Sequence, residues 1–367
     1  MPSPDLLKEA ERKLTVCNSC RYCEGYCAVF PAMELRRSFD EADVIHLANL
    51  CFDCRACYNA CPFTPPHEYA INIPAAMAAV RVETYREFSS PRLLSRLFSG
   101  NALLAGLTVV VAVLVVFGAA LGVKGSDVLF GEPAEERAFY RVVPYTAMLL
   151  PALLLSGFWL GVLAIGGVRF WRATGAKTGE LLDLGAFLRA TKDAFGLEYL
   201  KGGGEGCDYP GPEKSNARAV MHHLLVWGVL LDLASTTLAA VYHNFLNRDT
   251  PFAYVSPPVV LGAAGGVLIV TGGLGLLWLK RRAMKEPANP EMLRLDYAFL
   301  VLLMLTSSSG LVLLTLRDTA AMGTLLTVHL GIVAALFLAL PYSKFAHVVY
   351  RYAALVRHAI EQKREAA

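Results

Sequence analysis

Residues 17–27 read CNSCRYCEGYC, and residues 51–62 read CFDCRACYNACP. Each stretch is a C-x2-C-x2-C-x3-C run, formed by Cys17, Cys20, Cys23 and Cys27 and then by Cys51, Cys54, Cys57 and Cys61. Eight of the nine cysteines in the chain lie in these two runs. A [4Fe–4S] cluster takes four thiolates, and in two-cluster ferredoxins the fourth cysteine of each run serves the other cluster. The spacing therefore predicts one cluster on Cys17, Cys20, Cys23 and Cys61, and another on Cys51, Cys54, Cys57 and Cys27. Zinc sites use pairs of cysteines rather than four in close succession. Disulfides would leave the repeated spacing without a reason.

Around this stretch the chain divides by composition. It has 367 residues, 55% of them hydrophobic and 18% charged, with a net charge of +3. So small a charge does not suggest nucleic acid as a partner. The apolar residues concentrate beyond the first hundred positions. A cysteine-rich head over 1–90 and a linker over 91–101 are expected to precede a membrane domain over 102–350, with a tail over 351–367. No signal peptide is evident in the polar start MPSPDLLKEAERK. The thiols of the head belong in a reducing cytoplasm. Within the head, helical spacing is expected over 5–16, one or two short helices broken near Ser38, and a helix after Pro74. No alternating strand pattern is evident, so the predicted class is all-α.

Six apolar blocks are long enough to cross a bilayer, at about 102–122, 145–168, 219–242, 257–279, 297–316 and 322–342. Lysine and arginine set their orientation. Arg169, Arg172, Lys177, Lys280, Arg281 and Arg282 fall in the loops on the side of the head, and Lys344, Arg351, Arg357, Lys363 and Arg364 follow the last span. The first loop on the other side is acidic, with Asp127, Glu132, Glu135 and Glu136. The head, the long loop over 169–217 and both termini are thus expected on the cytoplasmic face of a bacterial inner membrane. Gly262 and Gly266 have the spacing that lets helices approach closely. Thr306, Ser307, Ser308 and Ser309 read as hydrogen-bonding groups between helices.

Histidines mark the ends of two spans. His222 and His223 open the third, and His243 closes it. His329 lies early in the sixth, and His347 just past its end. Taken as one helix, the 18 residues from His329 to His347 make five turns, so both would share a face about 27 Å apart. Two bis-histidine b-type haems are then expected, His222 or His223 with His347 and His243 with His329, although a single haem fits the same residues. Phase along the third span favours His222. Asp232, in the middle of that span, is a costly carboxylate that serves either a proton or quinone site or a hydrogen bond to a neighbouring hydroxyl. Cys207 reads as a free thiol without a ligand role. His46, His67 and His358 read as surface or structural residues.

These stretches resemble a known family. CRYCEGYCAVFPAM (20–33), LANLCFDCRACYNACPFTPPHEYAINIP (47–74), GLEYLKGGGEGCDYP (196–210) and HLGIVAALFLALPYSKFAHVVYR (329–351) are similar to the tricarballylate and citrate utilisation protein B family. The related C-terminal half of the cobalamin-synthesis flavohaem protein shows the same features. The last stretch is also similar to the haem-binding subunit of membrane nitrate reductase and to heterodisulfide-reductase-type cytochromes. Ala28 departs from the proline that often follows the last cysteine of such a run. The resemblance implies a helical two-cluster ferredoxin domain on a six-helix haem-binding bundle. It also implies electron transfer from an FAD-dependent dehydrogenase subunit to membrane quinone. Reverse flow, from quinol to a heterodisulfide-reductase-like partner, and electron supply to cobalamin synthesis are the other roles it allows. No G-x-G-x-x-G stretch occurs in a strand–turn–helix context, so a flavin would belong to a partner.

Overall fold

The computed structural model describes residues 2–98, 102–133, 137–177, 179–180, 183–204 and 206–366. Glu135 and Glu136 of the acidic loop, and 99–101 of the linker, lie outside the described residues. Helix α1 spans Pro4–Cys20, with proline in its first turn, and stops where Arg21 turns left-handed at φ 55°. Next come α2 (Val29–Glu34), α3 (Glu41–Leu50), α4 (Ala56–Ala60), α5 (Ile73–Phe88) and α6 (Arg92–Phe98). The side chain of Asp40 caps α3 by accepting from the Asp43 amide, and Asn72 caps α5 by accepting from Ala75. The break expected near Ser38 separates α2 from α3.

The first span is α7 (Ala102–Lys124), followed by the short helices α8 (Ser126–Phe130) and α9 (Ala138–Val142). The second span is α10 (Tyr145–Ala173). After α11 (Leu184–Gly196) and a 3-10 stretch over Glu198–Gly204, strands β1 (Cys207–Asp208) and β2 (Lys214–Ser215) pair antiparallel. The remaining spans are α12 (Ala217–Leu246), α13 (Pro257–Arg282), α14 (Pro290–Leu316) and α15 (Met322–Ala339). Helix α16 (His347–Glu365) closes the chain.

Among the described residues six helices are long and apolar enough to cross a membrane, at the six predicted places. Their outer faces carry Leu103, Leu114, Leu154, Leu233 and Val301, each more than half exposed. So much bare apolar surface requires lipid, which marks a multi-pass membrane protein.

Helices α12 and α13 pack backbone to backbone. A Cβ on Gly228 would stand 2.8 Å from the Gly265 carbonyl oxygen, and one on Gly272 would stand 2.6 Å from that of Met221. Gly262 and Gly266 do not act as one face. Gly262 meets Ser235 on α12, whereas Gly266 meets Leu311 on α14. The expected close approach therefore occurs on the neighbouring glycines of the same helix.

The sixth span and its extension are not one helix. Helix α15 ends at Ala339, Pro341 lies in the 3-10 turn that follows, and His347 opens α16. Proline has no amide to continue the helical ladder. The shared-face argument for His329 and His347, with its five turns and 27 Å rise, therefore does not hold.

The segment read as a tail is ordered. Helix α16 buries Tyr350, Ala354, Leu355, Ala359 and Ile360. One continuous apolar core joins the head to Phe170 and Trp171 of α10, Ala190 of α11, Cys207, and these residues of α16. Arg36 bridges Asp43 and Glu361 at 2.5 Å each, tying α3 to α16.

Candidate electron-transfer site

Cys17 and Cys20 occupy the last turn of α1, and Cys23 and Cys27 the loop beyond it, where Gly25 turns at φ 86°. Cys51 follows α3, Cys57 lies on α4, and Cys61 follows α4. Cys54 stands between Asp53 and Arg55, both left-handed, at φ 55° and 68°. These turns wrap the chain so that thiols from the two runs meet. Burial pushes the Cys17 thiol up to about 12, with further contributions from Cys61, Cys23 and Cys20. The Cys27 thiol is raised by its hydrogen bond with Cys54, then by burial, Cys54, Cys57 and Cys51. Cys17 thus neighbours Cys20, Cys23 and Cys61, a first set, and Cys27 neighbours Cys51, Cys54 and Cys57, a second set, with Cys57 close to Cys17 and Cys23 as well. The first set, together with Cys57, lines a pocket walled by Phe30 and Ile73. Among the described residues, no three Cys, His, Asp or Glu side chains close on a single metal ion. A zinc-like ion needs sulfurs about 2.3 Å away, whereas a four-iron cluster holds its four thiolates around a larger body.

Buried arginines fasten the second set to the membrane domain. Arg81 donates to the carbonyls of Ala48 and Cys51 at 2.8 and 2.9 Å. Arg351 donates to Cys51 O at 2.8 Å, and Arg218 to Asp53 O at 2.6 Å. Arg55 in turn reaches Met284 O at 2.8 Å. Of these arginines the sequence marked Arg351 alone, and only as a charge that sets orientation, because nothing local marks an arginine that will fold under a distant loop.

Cys207 is a free thiol, as read, but not an exposed one. It is fully buried, its sulfur contacts Leu200 O, and its side chain lies beside that of Cys54. The adjoining Asp208 amide donates to Cys54 O at 3.1 Å. Position in the sequence offered no signal for this contact, since more than 150 residues separate the partners.

His222 is the histidine of its pair whose ring reaches His347, with centres 6.3 Å apart and planes at 88°. His347 Nδ1 lies 2.6 Å from Lys344 O. Burial, then Arg351 and Lys344, hold His347 well below the usual imidazole range, so it is neutral. His329 Nδ1 lies 2.9 Å from Ser309 Oγ. That hydroxyl already donates to Thr306 O, so it accepts from His329 Nδ1–H, and the ring's lone pair lies on Nε2. Ser309, read as a helix-packing group, is therefore an orienting partner for a histidine. His243 Nδ1 stands 2.9 Å from Asp249 Oδ1, and the rings packed on it are Tyr140 and Tyr145, not His329. Asp232 faces α13 at Gly265, where a Cβ would collide with Oδ1. His46 and His358 are buried beside Glu361 and Tyr199 respectively, and His67 packs on Phe63 and Tyr69.

A six-span membrane bundle carrying an all-helical, cysteine-rich head defines a membrane protein of the ferredoxin-headed class. The sequence profile described as "Citrate utilization protein B Fer4-like domain" matches residues 10–87, and that described as "Citrate utilization protein B" matches 98–367. Citrate utilization protein B of Escherichia coli is 41% identical over 362 residues, covering 97% of this chain and 93% of that protein. The chain belongs to the citrate utilization protein B family. Its Fer4-like domain points to iron–sulfur electron transfer. No solved structure matches the chain.

Proposed function

We propose that this chain is the membrane electron-transfer subunit of a flavoprotein dehydrogenase, carrying electrons from the partner's reduced FAD to the quinone pool. The observation that carries the reading is the joint between Cys51 and α16. Arg351 holds the Cys51 carbonyl and lies one helical turn beyond His347, whose ring meets His222. Cysteine set and histidine pair are thereby adjacent across the edge of the membrane domain.

When bound, two [4Fe–4S] clusters and b-type haem supply the one-electron steps that empty a two-electron flavin and fill a quinone. Cys17, Cys20, Cys23 and Cys61 hold the first cluster in this reading, and Cys27, Cys51, Cys54 and Cys57 the second. His222 and His347 hold the inner haem. Imidazole nitrogen binds a first-row metal at about 2 Å, so an iron between two rings sets their centres roughly 6 Å apart, which the observed pair fits. His347 is oriented by the Lys344 carbonyl, as metal-bound histidines are by a second partner. His329 and His243 are the residues offered to an outer haem, His329 with Nδ1 on Ser309 Oγ; their rings do not meet as those of His222 and His347 do, since His243 packs on Tyr140 and Tyr145 beside Asp249, so this second site rests on their place in the spans alone. Asp232 is the carboxylate offered to quinone as a proton carrier.

The partner in this reading is a tricarballylate dehydrogenase-like flavoprotein, and the head faces it from the cytoplasm. The name of the relative points to citrate, a tricarboxylate of the same chemical class. Iron, acid-labile sulfide and haem counted on one purified sample test the proposal. About eight non-haem irons and about two b-type haems per chain are expected. No labile sulfide would overturn the reading, and clusters without haem would overturn the histidine assignment.

A further inference from the structure

The two cysteine sets lie in unlike surroundings. The first opens through a pocket toward the surface, with Cys20 and Tyr22 exposed. The second is ringed by Arg55, Arg81, Arg218 and Arg351, set against the nearby carboxylates of Asp53 and Asp208. Arg55 and Arg81 are 2% and 1% exposed, and each leaves Nε without a hydrogen-bond partner among the described residues. Buried cations in this number call for an anion beside them. A four-iron cluster on four thiolates is such an anion.

The loop between α10 and α12 closes over this set. Gly206 turns at φ 112°, where a Cβ would press on the backbone of Ser215, and this admits the strand pair that carries Cys207. Asp208 is tied at both ends, by its amide to Cys54 O and by Oδ2 to Asn59 Nδ2 at 3.2 Å. Tyr209 lies between the guanidinium groups of Arg55 and Arg218, at 4.6 and 4.9 Å from its ring centre. The Met284 amide donates to Pro210 O at 3.1 Å, which fixes the far end of the loop on the membrane domain. The buried thiol of Cys207 contacts Leu200 O, and the neighbouring Asp208 amide, bonded to Cys54 O, sets the same side chain beside the Cys54 sulfur as a second acceptor for its one proton. A metal-bound thiolate is the stronger acceptor, because hydrogen bonds to ionised groups are the stronger ones.

We propose that Cys207 is a positioning residue for the second cysteine set, giving its S–H to the Cys54 sulfur and, together with Arg218, making that centre the easier of the two to reduce. The inference rests on the function proposed above. Cluster potentials follow hydrogen bonds to sulfur, local charge and solvent exposure. Burial alone disfavours the added negative charge of reduction. A donated hydrogen bond and the arginines favour it; the first set also accepts one, from the Phe63 amide to Cys61 at 3.4 Å, but among the described residues the buried arginines stand beside the second set. What Cys207 biases is where an electron delivered by the partner's flavin comes to rest; the electron moves from the first centre to the second, and no bond or proton is exchanged. The centre fastened to the membrane domain then draws electrons inward.

The test is a redox titration of the purified full chain, followed by the spectra of its reduced clusters. Cys20→Ser identifies the first cluster as the one whose midpoint it moves. Cys207→Ala is expected to shift the other midpoint to lower potential and leave the first in place, with iron and sulfide content unchanged. Arg218→Gln is expected to shift the same midpoint in the same direction, and it serves if the cysteine variant does not fold. Unmoved midpoints in variants that retain both clusters would overturn the inference while leaving the proposed function intact. A wild-type chain without reducible clusters would instead overturn the proposed function.

Discussion

The imidazole rings of His222 and His347 stand 6.3 Å apart, centre to centre, and nearly perpendicular, although 125 positions separate them in the sequence. His222 comes from the first turns of α12. His347 comes from the first residue of α16, after the chain has broken at Pro341. In the proposed function this pair holds the inner haem. His347→Ala is expected to remove one of two b-type absorption components and to leave labile sulfide unchanged. Visible spectra of the dithionite-reduced protein, with a sulfide count, check it.

Acid should loosen the joint between α3 and α16. Burial lowers His46 and His358 from 6.5 to about 4, although Glu361 beside them opposes the shift. Arg36 faces both histidines, with Arg357 also near His46 and Arg189 near His358. In the unfolded chain each imidazole takes up a proton near pH 6.5, whereas in the folded chain it stays neutral until about pH 4. The unfolded state therefore binds more protons in that window, and stability falls as pH falls through it. The loss is on the order of 3 kcal/mol per histidine by pH 4, an upper figure. The carboxyl of Glu361 is held below its ordinary range by His46 and Arg36, so its contribution is also lost toward acid, below the ordinary carboxylate range. Thermal unfolding in detergent between pH 7 and pH 4.5 should show a falling midpoint, and His46→Phe should flatten the fall.

Asp296 holds both Lys280 and Lys344 at the end of the spans that meets the head. It is 8% exposed. Removing the one anion leaves two cations buried and unpaired, which costs about 3–5 kcal/mol when a buried pair is broken. Asp296→Ala should therefore lower the melting point sharply. Asp296→Glu should recover part of the loss.

Replacing Gly265 with leucine should separate α12 from α13. The space beyond its Cα is already filled by the Gly228 carbonyl oxygen and by Asp232. Overpacking against side chains costs about 1–3 kcal/mol, and backbone atoms yield less readily. The variant should fail to accumulate as a monodisperse protein in detergent. Gly262→Ala, which meets only the Ser235 side chain, should be milder by at least about 1 kcal/mol.

The readable part of the chain was its local chemistry. Two cysteine runs, six spans of bilayer length, the break near Ser38 and the helix from Ile73 all follow from spacing and composition over short windows. Such patterns act through neighbouring backbone and side chains, so they survive in a one-dimensional reading. The helical phase from His329 to His347 failed for the same reason. It assumed that a local period continues, and Pro341 ended it.

Only the tertiary structure decided what lies between distant segments. It placed Cys207 on Cys54, Arg351 and Arg81 on the Cys51 carbonyl, Arg36 between Asp43 and Glu361, and Ser309 on His329. Each contact joins positions whose nearness depends on the packing of whole helices, and no side chain carries a mark of its partner. The sequence by itself determined that this protein has a ferredoxin-type head and six membrane spans, because cysteine spacing and apolar length are properties of contiguous residues. The close packing of burial decided how one is fastened to the other, by bringing buried arginines under a carbonyl-rich loop where an unpaired charge or carbonyl would be costly.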